Sequence, residues 1–135
     1  RAREPFLHAN DLDEGTHLYA VGAILPPNAE FHQDVFERVG LIAVDDVTAV
    51  RQASREFTEY FDEGPGAGDW TRVRPLSSVI SDGGPPPTDT DLTLFKSMGM
   101  GISDLSVAIL AYKRALDQDR GMSIPLTAKP VPLRC

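Results

Sequence analysis

The chain has a single cysteine, Cys135, and it is the last residue of the sequence. One thiol cannot form an internal disulfide, so we expect a reducing compartment, and the cytoplasm fits best. The histidines are also isolated: His8, His17 and His32 lack the spacing to one another and to a thiol that metal sites require. The sequence therefore predicts no metal site.

Basic residues and long apolar runs are scarce as well. The chain has 13 Lys and Arg against 20 Asp and Glu, a net charge of −7. Nucleic acids and anionic membranes are bound by clustered cations, so we expect neither to be the main partner. No apolar run approaches the roughly 18 residues of a transmembrane helix. With 41% apolar and 24% charged residues, the composition is that of a single globular domain with a real core.

The clearest pattern lies towards the C-terminus. A short apolar run predicts a strand at residues 92–96, and Gly99 and Gly101 permit a sharp turn after it. Apolar residues at helical spacing then predict a long helix with Ser103 as its N-cap and Gly121 at its end. The resulting stripe should pack against another surface, because each large apolar side chain contributes roughly 1.5–3 kcal/mol when buried. Its members are Leu105, Ala108, Ile109, Tyr112, Ala115 and Leu116.

Two more strands and several short helices are predicted before this stretch. Apolar and aromatic residues indicate a strand at 17–22, and a continuous apolar run indicates another at 41–45, buried on both faces. Asp45 and Asp46 follow that run and are typical of a helix N-cap. Helices are predicted at 34–39, at 47–53 and around 76–80, an acidic surface segment with inward aromatics at 56–63, a stiff proline spacer at 85–87, and an extended tail at 122–135.

Two segments resemble a known family. The segment TLFKSMGMGISDLSVAILAYKRA is similar to the closing strand and helix of the ornithine cyclodeaminase/mu-crystallin family. The similarity continues back through GTHLYAVGA, residues 15–23, almost to Arg1. It implies an α/β fold in which residues 1–135 form the second half of a Rossmann-type NAD(P)-binding domain with a long C-terminal helix. The sequence begins with Arg-Ala-Arg, and by the family pattern a dimerisation and substrate domain and the Gly-rich phosphate loop are expected upstream.

The resemblance also implies which residues meet NAD or NADP. After the first strand, the backbone of residues 21–23 would lie against the nicotinamide, while Ser97 would hydrogen-bond the same end of the cofactor. Without the resemblance, residues 21–23 are explained as a tight turn after a core strand. Ser97 is then a turn serine and Met98 a core residue. The predicted cofactor-binding residues are Val21, Gly22, Ala23, Ile24, Asn28 and Ser97, and the predicted substrate-binding residue is Met98.

Ile24 decides which chemistry is expected. Ornithine cyclodeaminases typically have an aspartate at this position, whose carboxylate holds the substrate amine and moves protons. Isoleucine does neither, and Asn28 replaces a lysine that helps to hold the cofactor. We therefore predict no catalytic side chain at this position, and ornithine does not follow as the substrate.

The expected function is hydride transfer to or from an amino or imino acid by an NAD(P)-dependent enzyme. The class includes ornithine cyclodeaminase-like enzymes, ketimine or imine reductases and amino-acid dehydrogenases, and the complete protein would be a homodimer. One alternative is a non-catalytic, mu-crystallin-like cofactor-binding protein. Another is a fragment that is inactive without its N-terminal half, supplied by the same protein or by a second chain.

Overall fold

The computed structural model describes residues 2–84 and 90–124. It divides into two compact units, Arg1–Met100 and Gly101–Cys135, which are taken separately below. The predicted proline spacer at 85–87 and the tail beyond residue 124 lie outside the described residues.

The first unit contains a parallel sheet of four strands. In chain order these are β1 (His17–Ala20), β2 (Val39–Val44), β3 (Val73–Pro75) and β4 (Leu92–Lys96), arranged in space as β1-β4-β2-β3. The predicted α/β class is confirmed, but the prediction of three strands was incomplete. The missed strand, β3, has three residues and pairs only with β2 among the described strands. Its single buried residue, Val73, leaves little pattern in the sequence.

The strand bounds follow the prediction closely. β4 occupies residues 92–96 as predicted, and β2 begins two residues early, at Val39. β1 ends at Ala20 instead of residue 22 because its pairing with β4 stops there, opposite Lys96. Beyond that point the Gly22 amide bonds a side chain instead of a neighbouring strand.

Four helices accompany the sheet: α1 (Val35–Arg38), α2 (Val47–Ala53), α3 (Arg55–Phe61) and α4 (Leu76–Asp82). The predicted cap of α2 is confirmed at Asp46, whose carboxylate accepts a hydrogen bond of 3.0 Å from the Ala49 amide. α4 ends where Gly83 takes a left-handed conformation with φ of 64°. Short 3-10 turns lie at Ala9–Asp11 and Trp70–Arg72. The segment expected on the surface is helix α3, and its Glu56 is buried.

One face of the sheet carries the aromatic core of the first unit. Phe36 lies at its centre, with ring centroids of Phe31, Phe57 and Phe61 at 5.3, 4.9 and 5.3 Å. The inward residues of β2 and β4 are buried in the same cluster. On the opposite face, residues of α4 and of the strands line an apolar groove: Leu76, Val79, Tyr19, Leu41 and Phe95. Helices therefore lie on both faces, as in doubly wound folds.

The second unit contains a helix of 17 residues, α5 (Gly101–Asp117). The prediction that Ser103 caps it was wrong: the backbone turns at Gly99, with φ of 87°, and the helix already begins at Gly101. The prediction that Gly121 ends it was also wrong. Asp119 takes the left-handed position, with φ of 51°, and the Arg120 amide bonds the Ala115 carbonyl at 2.8 Å.

The apolar stripe of α5 is exposed. Leu105 is 55% exposed, Tyr112 66% and Leu116 62%, so the described residues of the second unit do not themselves supply the cover that the stripe was expected to have. None of the helices in the described ranges is long and apolar enough to cross a bilayer.

Candidate functional site

The carboxyl ends of three neighbouring strands meet at one edge of the sheet. β4 lies between β1 and β2, so the β1 loop (residues 21–24), Asp45 and the β4 loop (residues 97–99) are adjacent. Hydrogen bonds continue the ladder past the strand ends: the Ser97 amide bonds the Ala20 carbonyl at 3.1 Å, and the Asp45 amide bonds the Lys96 carbonyl at 3.3 Å. Open α/β sheets bind ligands outside this edge. We name it the carboxyl edge.

Asp45 organises the β4 loop. Its Oδ2 accepts hydrogen bonds from the Ser97 hydroxyl at 2.7 Å and from the Gly99 amide at 2.8 Å. Its Oδ1 accepts from the Met98 amide at 3.0 Å and from the Asp46 amide at 2.8 Å. Burial raises the pKa of the Asp45 carboxyl, but these bonds outweigh it and hold that pKa below its ordinary value of 3.8. The group is therefore an ionised anchor and a poor proton donor at neutral pH.

This arrangement fixes what Ser97 can offer a ligand. Its proton is donated to Asp45, and the Gly99 amide donates weakly to its oxygen at 3.3 Å. A hydroxyl has two acceptor positions, so one remains for an incoming N–H group. The side chain is partly exposed. Ser97 thus presents an oriented acceptor at the carboxyl edge.

Sequence reasoning missed this role of Asp45. It treated Asp45 and Asp46 together as cap candidates, whereas only Asp46 caps α2 through its side chain. The available signal was position: Asp45 ends a buried parallel strand, and residues 97–99 end the next strand in space.

The β1 loop is held from inside the protein. The Gly22 amide donates to Glu30 Oε2 at 2.9 Å, and the Ala23 carbonyl accepts from Lys96 Nζ at 2.6 Å. A Cβ on Gly22 would lie 2.2 Å from Glu30 Oε1, so no larger residue fits without moving that carboxylate. Val21, 58% exposed, faces outward. The loop therefore has a fixed inner side and an open outer side.

The inner side rests on buried charges that the sequence analysis did not anticipate. Lys96 is fully buried and Glu56 is 1% exposed, with Nζ and Oε1 3.6 Å apart. Glu56 also accepts from the Ser54 hydroxyl and from the Glu30 amide, each at 2.9 Å. A signal for Lys96 was present: in a strand, alternate residues share a face, which places it with the buried leucines of β4.

The remaining predicted residues lie at or near this edge. Ile24 is partly buried and continues the β1 loop, while Met98 is partly buried and packs against the core. Asn28 is 8% exposed, and its amide closes a turn by bonding the Leu25 carbonyl at 2.9 Å. Its contact with a cofactor stays a prediction. Among the described residues, no group of three His, Cys, Asp or Glu side chains is placed to hold a metal ion.

The model of the ornithine cyclodeaminase/mu-crystallin family matches residues 1–119. The chain belongs to this family. It is 28% identical, over 125 residues, to an alanine dehydrogenase of Archaeoglobus fulgidus; the match covers 91% of this chain and 38% of that protein. The resemblance inferred from residues 15–23 and from the β4–α5 segment is confirmed.

Solved structures of related proteins share the fold. One is the Δ1-pyrroline-2-carboxylate reductase of Thermococcus litoralis in complex with NADH and L-proline, with a TM-score of 0.74, 28% identity, and coverage of 91% of this chain and 38% of that one. Another is an archaeal alanine dehydrogenase dimer with bound NAD, with a TM-score of 0.72, 26% identity, and coverage of 93% and 38%. The chain thus spans little more than a third of the length of these family members.

Proposed function

We propose that this chain is the C-terminal part of the NAD(P)-binding domain of an enzyme that transfers hydride to or from an amino or imino acid. The observation that carries the proposal is the carboxyl edge, where Asp45 orients Ser97 beside the hydrogen-bonded β1 loop. Similarity to an alanine dehydrogenase and to a pyrroline-carboxylate reductase with bound NADH supports it.

The residues of the carboxyl edge suit the nicotinamide end of the dinucleotide. The outer side of residues 21–24 is open to a ligand, and Ser97 offers an acceptor for the carboxamide N–H. Met98 follows Ser97 and would border the substrate. The bound dinucleotide supplies or accepts the hydride, and the protein orients it.

Ile24 favours a reductase or dehydrogenase over an ornithine deaminase. Its partly buried aliphatic side chain continues the β1 loop where a deaminase has a carboxylate. Without that group, the substrate ammonium has no charge partner at this position and no proton acceptor. We propose that the enzyme interconverts an imino acid and its amino acid without cyclising ornithine.

We further propose that the active protein contains a second part, which supplies the phosphate-binding loop and most of the substrate site. The chain spans 38% of the length of the Archaeoglobus alanine dehydrogenase, and the apolar residues of α5 have no cover within their own unit. The second part would cover that stripe, as one polypeptide with this chain or as a companion chain, and the whole would form a homodimer in the cytoplasm. The chain by itself would be inactive.

An assay of the protein as isolated from cells, with any companion chain, tests the proposal. NADH or NADPH is mixed with Δ1-pyrroline-2-carboxylate, or with pyruvate and ammonia, and the loss of absorbance is followed. We expect turnover with one of these pairs and none that forms proline from ornithine. Ser97→Ala should reduce turnover, whereas Ser81→Ala, which removes another hydroxyl bonded within the protein, should not.

The outcomes separate the alternatives. Cofactor binding without turnover of any imino acid would favour a non-catalytic, mu-crystallin-like protein. Release of ammonia and proline from ornithine would show that another residue replaces the missing carboxylate. Failure to bind either dinucleotide would contradict the proposed function as a whole.

A further inference from the structure

We propose that Lys96 is a positioning residue, which sets the β1 loop through a buried cluster with Glu56 and Glu30. No other cationic side chain is fully buried in the described residues. The inference rests on the proposed function for its consequence in catalysis, but its structural content stands on the contacts alone.

The cluster forms hydrogen bonds with two consecutive residues of the loop. Lys96 Nζ donates to the Ala23 carbonyl at 2.6 Å, and Glu30 Oε2 accepts from the Gly22 amide at 2.9 Å. The same Nζ lies 3.6 Å from Glu56 Oε1 and 4.0 Å from Glu30 Oε2. The Lys96 ammonium thus has three oxygen neighbours. The Ala23 carbonyl belongs to the loop, Glu30 Oε2 accepts from the Gly22 amide of the loop, and Glu56 Oε1 lies outside it.

The carboxylates of the cluster are themselves fixed. Glu56 accepts from the Ser54 hydroxyl and from the Glu30 main chain, and no described buried side-chain nitrogen or oxygen lacks a partner. A buried charge is costly unless it is paired and hydrogen-bonded. Moving any member of the cluster would leave a buried charge or a main-chain group of the loop without its partner, so the cluster resists a shift of the loop.

Lys96 also connects the two loops of the candidate site. Its side chain reaches the β1 loop, its carbonyl accepts from the Asp45 amide at 3.3 Å, and the next residue is Ser97. An apolar side chain would fill the same space in the core but would leave the Ala23 carbonyl without this donor. The placement of a lysine here is therefore explained by the loop it holds.

In the proposed enzyme, the β1 loop forms the floor for the nicotinamide ring. A loop that shifts would change the distance over which hydride moves, and misplacements near 1 Å cost about 100-fold in rate. The phosphates and adenosine would be held elsewhere, so loss of the cluster should reduce the chemical step more than cofactor binding.

The test is the double variant Lys96→Met/Glu56→Gln in the protein as isolated, which removes one buried charge of each sign with little change of volume. Phe57→Leu is the control, because it perturbs the aromatic core packed on α3 and removes no charge or hydrogen bond of the cluster. Three quantities are measured: hydrogen exchange of the Gly22 amide, kcat with its primary isotope effect from deuterated NAD(P)H, and the Kd of NAD(P)H. The kcat is normalised to the concentration of folded protein.

We expect Gly22 exchange to become at least about 10-fold faster in the double variant. We also expect kcat to fall at least about 10-fold with a raised isotope effect. The Kd should be nearly unchanged, and the control should alter neither Gly22 exchange nor the isotope effect. Unchanged Gly22 exchange, or faster exchange with kcat and isotope effect intact, would overturn the inference. If the unaltered protein turns over no imino acid, the proposed function fails, and Gly22 exchange alone decides whether Lys96 sets the loop.

Discussion

At the scale of residues, the carboxyl edge depends on atoms that serve more than one neighbour. Three hydrogen bonds to Asp45 gather Ser97, Met98 and Gly99 into one loop, and the missing Cβ of Gly22 leaves room for the Glu30 carboxylate. A substitution at Asp45 or at Gly22 should therefore also disturb the residues bonded to it.

Gly22→Ala should destabilise the protein. Its Cβ would meet Glu30 Oε1 at 2.2 Å, and moving that carboxylate aside would break its hydrogen bond with the Gly22 amide, which costs about 1–3 kcal/mol. Gly101→Ala is the matched control, since a Cβ there has nothing within 4 Å and alanine suits a helix. Denaturant unfolding of both variants measures the difference. Equal stability of the two would contradict the tight approach of Glu30.

Asp45→Asn should destabilise the protein in a pH-dependent way. The folded pKa of Asp45 lies below its ordinary value of 3.8, so its stabilising contribution is complete above that pH and is lost as the pH falls through the folded pKa. At neutral pH the loss should be about 1.5–3 kcal/mol, as for hydrogen bonds to a charged group. The gap in unfolding free energy between the original protein and the variant should therefore narrow below pH 4. A gap that stays constant down to acid unfolding would disagree with an ionised anchor.

At the scale of elements, local pattern predicted much of the first unit. The run that forms β4, the α2 segment behind Asp46 and the α4 segment before Gly83 carry their signals in a few neighbouring residues. The missed features depend on distant partners. Glu56 is buried because Lys96 lies beside it, 40 positions along the chain, and no local rule predicts a buried glutamate.

In the candidate site, too, some residues were predicted from the sequence, whereas those that depend on distant contacts were missed. Family resemblance brought together residues 21–24 and 97–98, and the sheet order does place these two loops side by side. The anchors beneath them, Asp45 and Lys96, were missed because their contacts appear only when β4 is known to lie between β1 and β2.

The aromatic core between α1 and α3 should dominate the stability of the first unit. Phe36 is fully buried among three other phenylalanines, so Phe36→Ala should cost about 3–5 kcal/mol. The same truncation at Phe6, which is 66% exposed, should change stability by less than about 0.5 kcal/mol. Thermal and denaturant unfolding compare the two variants. A small loss at Phe36 would mean that the first unit is not organised around this cluster.

At the scale of the whole molecule, the chain has the size of a domain but spans only 35–38% of the length of the alanine dehydrogenase and the pyrroline-carboxylate reductase that it matches in sequence. The apolar stripe of α5 is a surface that favours association with another protein surface in water. A missing part of the protein would supply such a surface. In the proposed enzyme, the remaining part of the protein covers the stripe.

The 135-residue chain by itself should therefore self-associate with rising concentration. Replacing Leu105 and Leu116 with Gln should reduce the association, because both side chains are more than half exposed on the stripe. Lys113→Gln, a polar exchange on the same helix, is the control. Light scattering and native mass spectrometry give the mass at each concentration. A monomer at all concentrations, in the original chain as in the variants, would refute the proposed cover.

A hydrogen-exchange footprint of NADH or NADPH on the protein as isolated tests directly whether the nicotinamide end of the dinucleotide binds at the carboxyl edge. We expect protection of the peptides that contain residues 21–24 and 97–99, with no change in the peptide of the Trp70–Arg72 turn, which precedes β3 and so lies at the opposite end of the parallel strands. Protection confined to other segments, or none at saturating dinucleotide, would contradict the assignment of the nicotinamide end to this edge of the sheet.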